Sequence, residues 1–124
     1  MYKGTENTMT AQKLKEGETC IIRGFGQSMT PILQSGQPVM VVPVTEETPL
    51  EKGDIVFCKV NGHFYLHKIL AVKNETTYQI GNNHGHINGW VGRNTIYGKV
   101  SEILRQIQIL NPRKFENCGG SYCS

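Results

Sequence analysis

The dipeptide Asn61-Gly62 lies between two runs rich in Val, Ile, Phe and Tyr, residues 54 to 60 and 63 to 72. Asn-Gly in that position is a strong signal for a two-residue hairpin, so two neighbouring antiparallel strands follow from it. Residues 19 to 23, 37 to 44, 76 to 81 and 96 to 110 have the same β-branched and aromatic character, which predicts strands there too. Residues 10 to 16 predict only a short helical turn after Thr10, too short to stand alone. Residues 81 to 92 hold four glycines among Asn and His and read as a loop,. At 124 residues the chain has room for one domain and a modest core,. The expected organisation is an N-terminal arm over 1 to 18, a mainly β domain over 19 to 110 and a flexible tail over 111 to 124.

The formal charge of +3 is small and dispersed. No run of Lys and Arg forms a basic stripe, so nucleic acid is not an expected partner. No stretch approaches the roughly 20 consecutive apolar residues of a membrane span, and the N-terminus lacks the apolar centre of a secretory signal. A soluble, cytoplasmic protein is expected. Cys20 and Cys58 fall in apolar runs, where a thiol acts as a small hydrophobe. Cys118 and Cys123 lie in the tail sequence ENCGGSYCS, where the reduced state is expected in a cytosolic setting.

Chemistry concentrates in Gly-Gln-Ser-Met-Thr-Pro-Ile-Leu, residues 26 to 33, which put Ser28 in a tight polar turn between apolar runs. A serine hydroxyl is a weak nucleophile unless a base takes its proton. The candidate base is His67, on the second strand of the hairpin. Histidine suits the role because its ordinary pKa, about 6.5, leaves a neutral fraction near pH 7. Strand alternation puts His63, Tyr65, His67 and Ile69 on one face and Phe64, Leu66, Lys68 and Leu70 on the other. With Phe64, Leu66 and Leu70 as the core face, His67 faces a groove or solvent. Lys68 is the weaker base on this count, since it would also have to be desolvated to lose its proton. The plainer readings are that Ser28 caps a short turn near Thr30 and that His67 is an exposed strand residue.

These segments together resemble the superfamily of type I signal peptidases and self-cleaving LexA-like repressors. The likeness runs through GQSMTPIL and SGQPVMVVP, then Lys52-Gly53-Asp54-Ile55-Val56, LHKIL, GNNHGHINGW and Ile96-Tyr97-Gly98-Lys99-Val100. The landmarks stand in the family's order and cover residues 24 to 103. His67-Lys68 resembles the His-Arg form of the base motif rather than the commoner Lys-Arg. The resemblance implies a coiled, partly closed β-sheet with hairpin excursions. It also implies a serine endopeptidase that uses a Ser28–His67 dyad, forms an acyl-enzyme, needs no cofactor and binds a peptide or protein in extended form. Gln27, Met29 and Pro31 are the expected substrate-binding residues. Residues 81 to 92 correspond to a loop that supports the base, which makes Asn82, Asn83 and Asn88 its candidate supports. Relatives carry carboxylates there. Asparagine can orient a histidine but cannot stabilise imidazolium as a charge.

The first oxyanion donor is expected to be the Ser28 backbone N–H, with the second either another backbone amide or Gln27. Gly26 stands where some relatives have a side-chain hydroxyl. The segment before Gly24 is too short for a DNA-binding domain, so the expectation is a bare peptidase core. Self-processing between Cys118 and Gly119 is a further expectation. The missing carboxylate keeps a second reading open, a catalytically silent module of the same fold that binds peptide by strand addition. A metal site built on His84 and His86 lacks the usual spacing or a Cys or carboxylate partner.

Overall fold

The structure, a computed structural model, describes residues 4–24 and 26–104, without the side chains of residues 4–6. It is mainly β. One helix, α1 (Gly4–Lys15), precedes seven strands: β1 (Cys20–Arg23), β2 (Pro38–Pro43), β3 (Ile55–Val60), β4 (His63–Lys73), β5 (Thr77–Gly81), β6 (Ile87–Gly92) and β7 (Ile96–Ile103). A short 3-10 turn, Arg93–Thr95, leads into β7. All seven strands belong to one antiparallel sheet, ordered β1-β2-β7-β3-β4-β5-β6 and curled into a half-barrel.

The β3–β4 hairpin turns on Asn61 and Gly62, whose φ angles of 50° and 84° give the doubly left-handed turn that matches the twist of the strands,. Its register pairs Val60 with His63 and Val56 with His67. Strand β4 then changes partner. Residues 63–68 pair with β3, whereas β5 pairs only from Lys68 onward. Among the described residues, no strand occupies the other edge of β4 from His63 to His67.

Of three hydrophobic clusters among the described residues, the two larger lie on opposite faces of the sheet. Phe57, Val39, Val41, Ile22 and Cys20 pack with Ala11 and Leu14 of α1 and with Met29 and Leu33. Val56, Cys58, Ile69, Tyr78, Ile80 and Ile96 form the second. Fully burying a side chain such as Phe57 contributes about 1.5–3 kcal/mol. Both faces of β4 are therefore apolar surroundings: Phe64 and Leu66 join the first core, Tyr65 and Ile69 the second. Of the two surroundings expected for His67, groove or solvent, it has the first, since it lines a pocket and is largely shielded from solvent. His67 is only 9 % exposed. Two of the sequence landmarks meet where Lys99 Nζ lies 3.3 Å from Asp54 Oδ2.

Helix α1 spans 12 residues, not one turn over 10 to 16. It buries Asn7, Thr10, Ala11 and Leu14, which stand at i, i+3, i+4 and i+7 on one face. Half of that stripe is polar, so hydrophobic periodicity does not reveal it. The helix stops at Gly17, whose φ of 93° lets its N–H reach the Leu14 carbonyl while the Glu18 N–H reaches that of Lys13, the paired bonds of a Schellman cap. The second difference is β6, which lies inside the segment read as a loop. It is an edge strand paired along β5, and glycines at 89 and 92 with mostly half-exposed neighbours disguise it.

Candidate active site

Ser28 is carried on the segment between β1 and β2, which folds back over β4 rather than forming a helix. A single turn closes from the Leu33 N–H to the Met29 carbonyl at 2.8 Å. The hydroxyl that ties this turn to its start belongs to Thr30, whose Oγ1 donates to the Gln27 carbonyl at 2.9 Å. Ser28 Oγ instead lies 3.2 Å from His67 Nε2.

His67 is held from both sides. Its Nδ1 lies 2.7 Å from Asn88 Oδ1. An amide oxygen only accepts, so Nδ1 carries the hydrogen and Nε2 presents a lone pair to the Ser28 hydroxyl. The Tyr65 ring stacks on the imidazole at 4.9 Å between centroids. Burial pushes the His67 pKa below its usual value, the Asn88 hydrogen bond opposes this, and the neighbouring His86 adds to the depression. The net effect favours the neutral imidazole that a general base requires.

Asn88 reaches His67 through a β-bulge. Ile80 pairs with Gly89 and Gly81 pairs with Ile87, which leaves Asn88 as an extra residue in β6 with no partner across the ladder. Bulges re-aim side chains in this way and are common beside active sites.

Asn83 clamps the turn that bears Ser28. Its backbone N–H donates to the Ser28 carbonyl at 2.9 Å, and its Nδ2 donates to the Thr30 carbonyl at 2.9 Å. Its Oδ1 accepts from Lys68 Nζ at 2.7 Å. Lys68 thus holds the clamp. Asn82 braces its own loop, accepting from the His84 and His86 N–H groups, and makes no bond to His67 or Ser28.

His84 adds a contact that the sequence did not suggest. Its Nε2 lies 2.9 Å from the Gln27 carbonyl and 3.2 Å from Thr30 Oγ1, so Nε2 carries a hydrogen and ties the loop to the same turn. Among the described residues no group of three or more His, Cys, Asp and Glu is placed to hold a metal ion. Of the expected substrate contacts, Met29 lines a pocket beside Ser28 and His67, whereas Gln27 and Pro31 are exposed and do not line it. The Ser28 backbone N–H has no acceptor among the described residues. Phe25, the cysteines of the tail and the Cys118–Gly119 bond lie outside the described residues. Among the described residues no helix is long and apolar enough to cross a membrane.

The half-barrel sheet carries a serine-bearing turn folded over its central hairpin, a mainly β arrangement. The chain matches the Peptidase S24-like family over residues 2–100, most of its length, and belongs to that family. No curated protein matches it.

Proposed function

We propose that this family member is a serine endopeptidase in which Ser28 is the nucleophile, His67 the general base and Asn88 the residue that orients the base. The observation that carries the reading is the continuous relay from Asn88 Oδ1 to His67 Nδ1 and from His67 Nε2 to Ser28 Oγ, at 2.7 and 3.2 Å. Ser28 Oγ attacks the scissile carbonyl carbon and its proton passes to His67 Nε2. The Ser28 N–H, which has no acceptor among the described residues, serves the oxyanion,. The carbon–nitrogen bond then breaks, and His67 returns the proton to the leaving amine. Water hydrolyses the resulting ester by the same route, with His67 taking its proton, and Ser28 regains its hydrogen as the acid departs.

The substrate is a peptide in extended form. The edge of β4 over residues 63–67, with no strand paired to it among the described residues, supports this, because an added strand draws its affinity from main-chain hydrogen bonds. The test is digestion of a peptide library read by mass spectrometry. Cuts made by the native chain should fall by at least about 10³-fold in both Ser28→Ala and His67→Ala. Undiminished cutting by Ser28→Ala would overturn the assignment.

A further inference from the structure

The two peptide groups that flank Ser28 are held by consecutive residues of the loop between β5 and β6. On the C-terminal side the Asn83 N–H donates to the Ser28 carbonyl at 2.9 Å. On the N-terminal side His84 Nε2 donates to the Gln27 carbonyl, also at 2.9 Å. The Gln27 carbonyl belongs to the same peptide group as the Ser28 N–H, the oxyanion donor of the proposed mechanism. A carbonyl oxygen has two lone pairs, and the turn itself supplies two donors, the Thr30 N–H at 3.2 Å and Thr30 Oγ1 at 2.9 Å. His84 is therefore a third donor, beyond what satisfies the oxygen. Among the described residues it is the one that comes from outside the turn. His84 is exposed, so water would serve its ring equally well and no burial penalty demands the contact. The loop aims it nonetheless: the His84 N–H donates to Asn82 Oδ1 at 2.8 Å, an acceptor shared with the His86 N–H at 3.0 Å.

We propose that His84 is a positioning residue for the oxyanion step: by donating to the Gln27 carbonyl it fixes and polarises the Gln27–Ser28 peptide group and so strengthens the Ser28 N–H as a donor. The proposal rests on the peptidase reading for its link to rate, and on the hydrogen bonds at the Gln27 carbonyl for its mechanism. Resonance couples the two ends of a peptide group. A donor on the oxygen draws electron density from the nitrogen and makes the N–H a stronger donor in turn, the cooperativity of hydrogen-bonded chains. The oxyanion carries a full negative charge where the ground-state carbonyl carries a partial one, so the gain is larger in the transition state. Orientation adds to it. Both Thr30 donors sit within the turn and move with it, whereas His84 ties the peptide plane to the loop that joins β5 and β6. An N–H held in this way needs no reorientation as the charge develops. His84 acts through the peptide group rather than on the reacting atoms.

Three variants of the full chain test it. His84→Ala and His84→Leu remove the donor, whereas His84→Gln presents an amide N–H at a similar reach. In peptide cleavage the first two should lower kcat about tenfold with KM unchanged, less than the roughly 10²–10³-fold loss on deleting an oxyanion donor outright. His84→Gln should recover most of the rate. Unchanged kcat in His84→Ala, a loss that falls on KM, or one that Gln leaves uncorrected would overturn the proposal. The second readout, NMR of isotopically labelled protein, needs no substrate. The Ser28 amide nitrogen and proton should both move upfield in His84→Ala and His84→Leu, as the N–H loses polarisation, and return toward their native positions in His84→Gln. A shift shared by all three variants would belong to the lost imidazole ring and refute the coupling, as would no shift at all. If the native chain cuts no peptide, the peptidase reading falls together with the part of His84 in the rate, and the Ser28 resonance alone decides whether His84 acts on that amide.

Discussion

Asn88 Oδ1 meets His67 Nδ1 at 2.7 Å from a bulged edge strand, 21 residues along the chain. The contact fixes the tautomer that leaves Nε2 free for Ser28, yet the partner is neutral. A carboxylate at the same place would form a charge-assisted bond, about twice as strong, and would stabilise the imidazolium as it forms. Asn88→Asp is therefore expected to raise peptide cleavage by about tenfold. It should also move the acid limb of the pH–rate profile upward, since the new negative charge favours the protonated ring. An unchanged profile from steady-state kinetics across the acid range would show that Asn88 does not act through His67.

The depressed pKa of His67 has a consequence for folding. In the unfolded chain the ring titrates near 6.5, whereas in the native state burial holds it lower. As pH falls below 6.5, the unfolded state takes up the proton first, so stability present at neutral pH is lost down through the native pKa. Urea midpoints should therefore fall between pH 7 and pH 5 by more in the native chain than in His67→Gln. Parallel pH dependences would contradict the burial argument. The rate profile should carry its acid limb below 6.5 for the same reason.

Asn83 links Lys68 to the carbonyls of Ser28 and Thr30. Asn83→Leu removes both side-chain bonds but not the backbone one, at a cost of about 2 kcal/mol of stability. Its larger effect should fall on kcat, because Ser28 would lose its fixed position relative to His67. Equal kcat in the two proteins, measured where both are fully folded, would reduce Asn83 to a structural residue.

Cys58 is fully buried in the second core, and burial pushes its thiol up to about 12. At pH 8 its thiolate fraction is about 10³-fold smaller than that of a free cysteine. Iodoacetamide should leave Cys58 unmodified in the native protein and label it after addition of denaturant, as peptide mapping would report. Rapid native labelling at Cys58 would mean that the β3–β7 region opens readily.

What the sequence determined by itself is whatever depends on neighbours along the chain. Asn61-Gly62 specified a hairpin because its turn geometry is local, and alternation along β4 put Tyr65 and His67 on one side. The serine turn was legible because Gly26, Pro31 and Gly36 break up the segment around Ser28. The sequence predicts only a turn of helix α1 because its buried stripe mixes Asn7 and Thr10 with Ala11 and Leu14, so its hydrophobic signal is weak and packing against the sheet supplies what periodicity does not. Strand β6 was missed because it depends on β5 for its hydrogen bonds, and its glycines lower its own preference for extended structure. Asn82, Asn83 and Asn88 look alike as letters. Only the loop and the bulge decide that Asn82 braces its own turn, Asn83 grips the Ser28 segment and Asn88 meets the base.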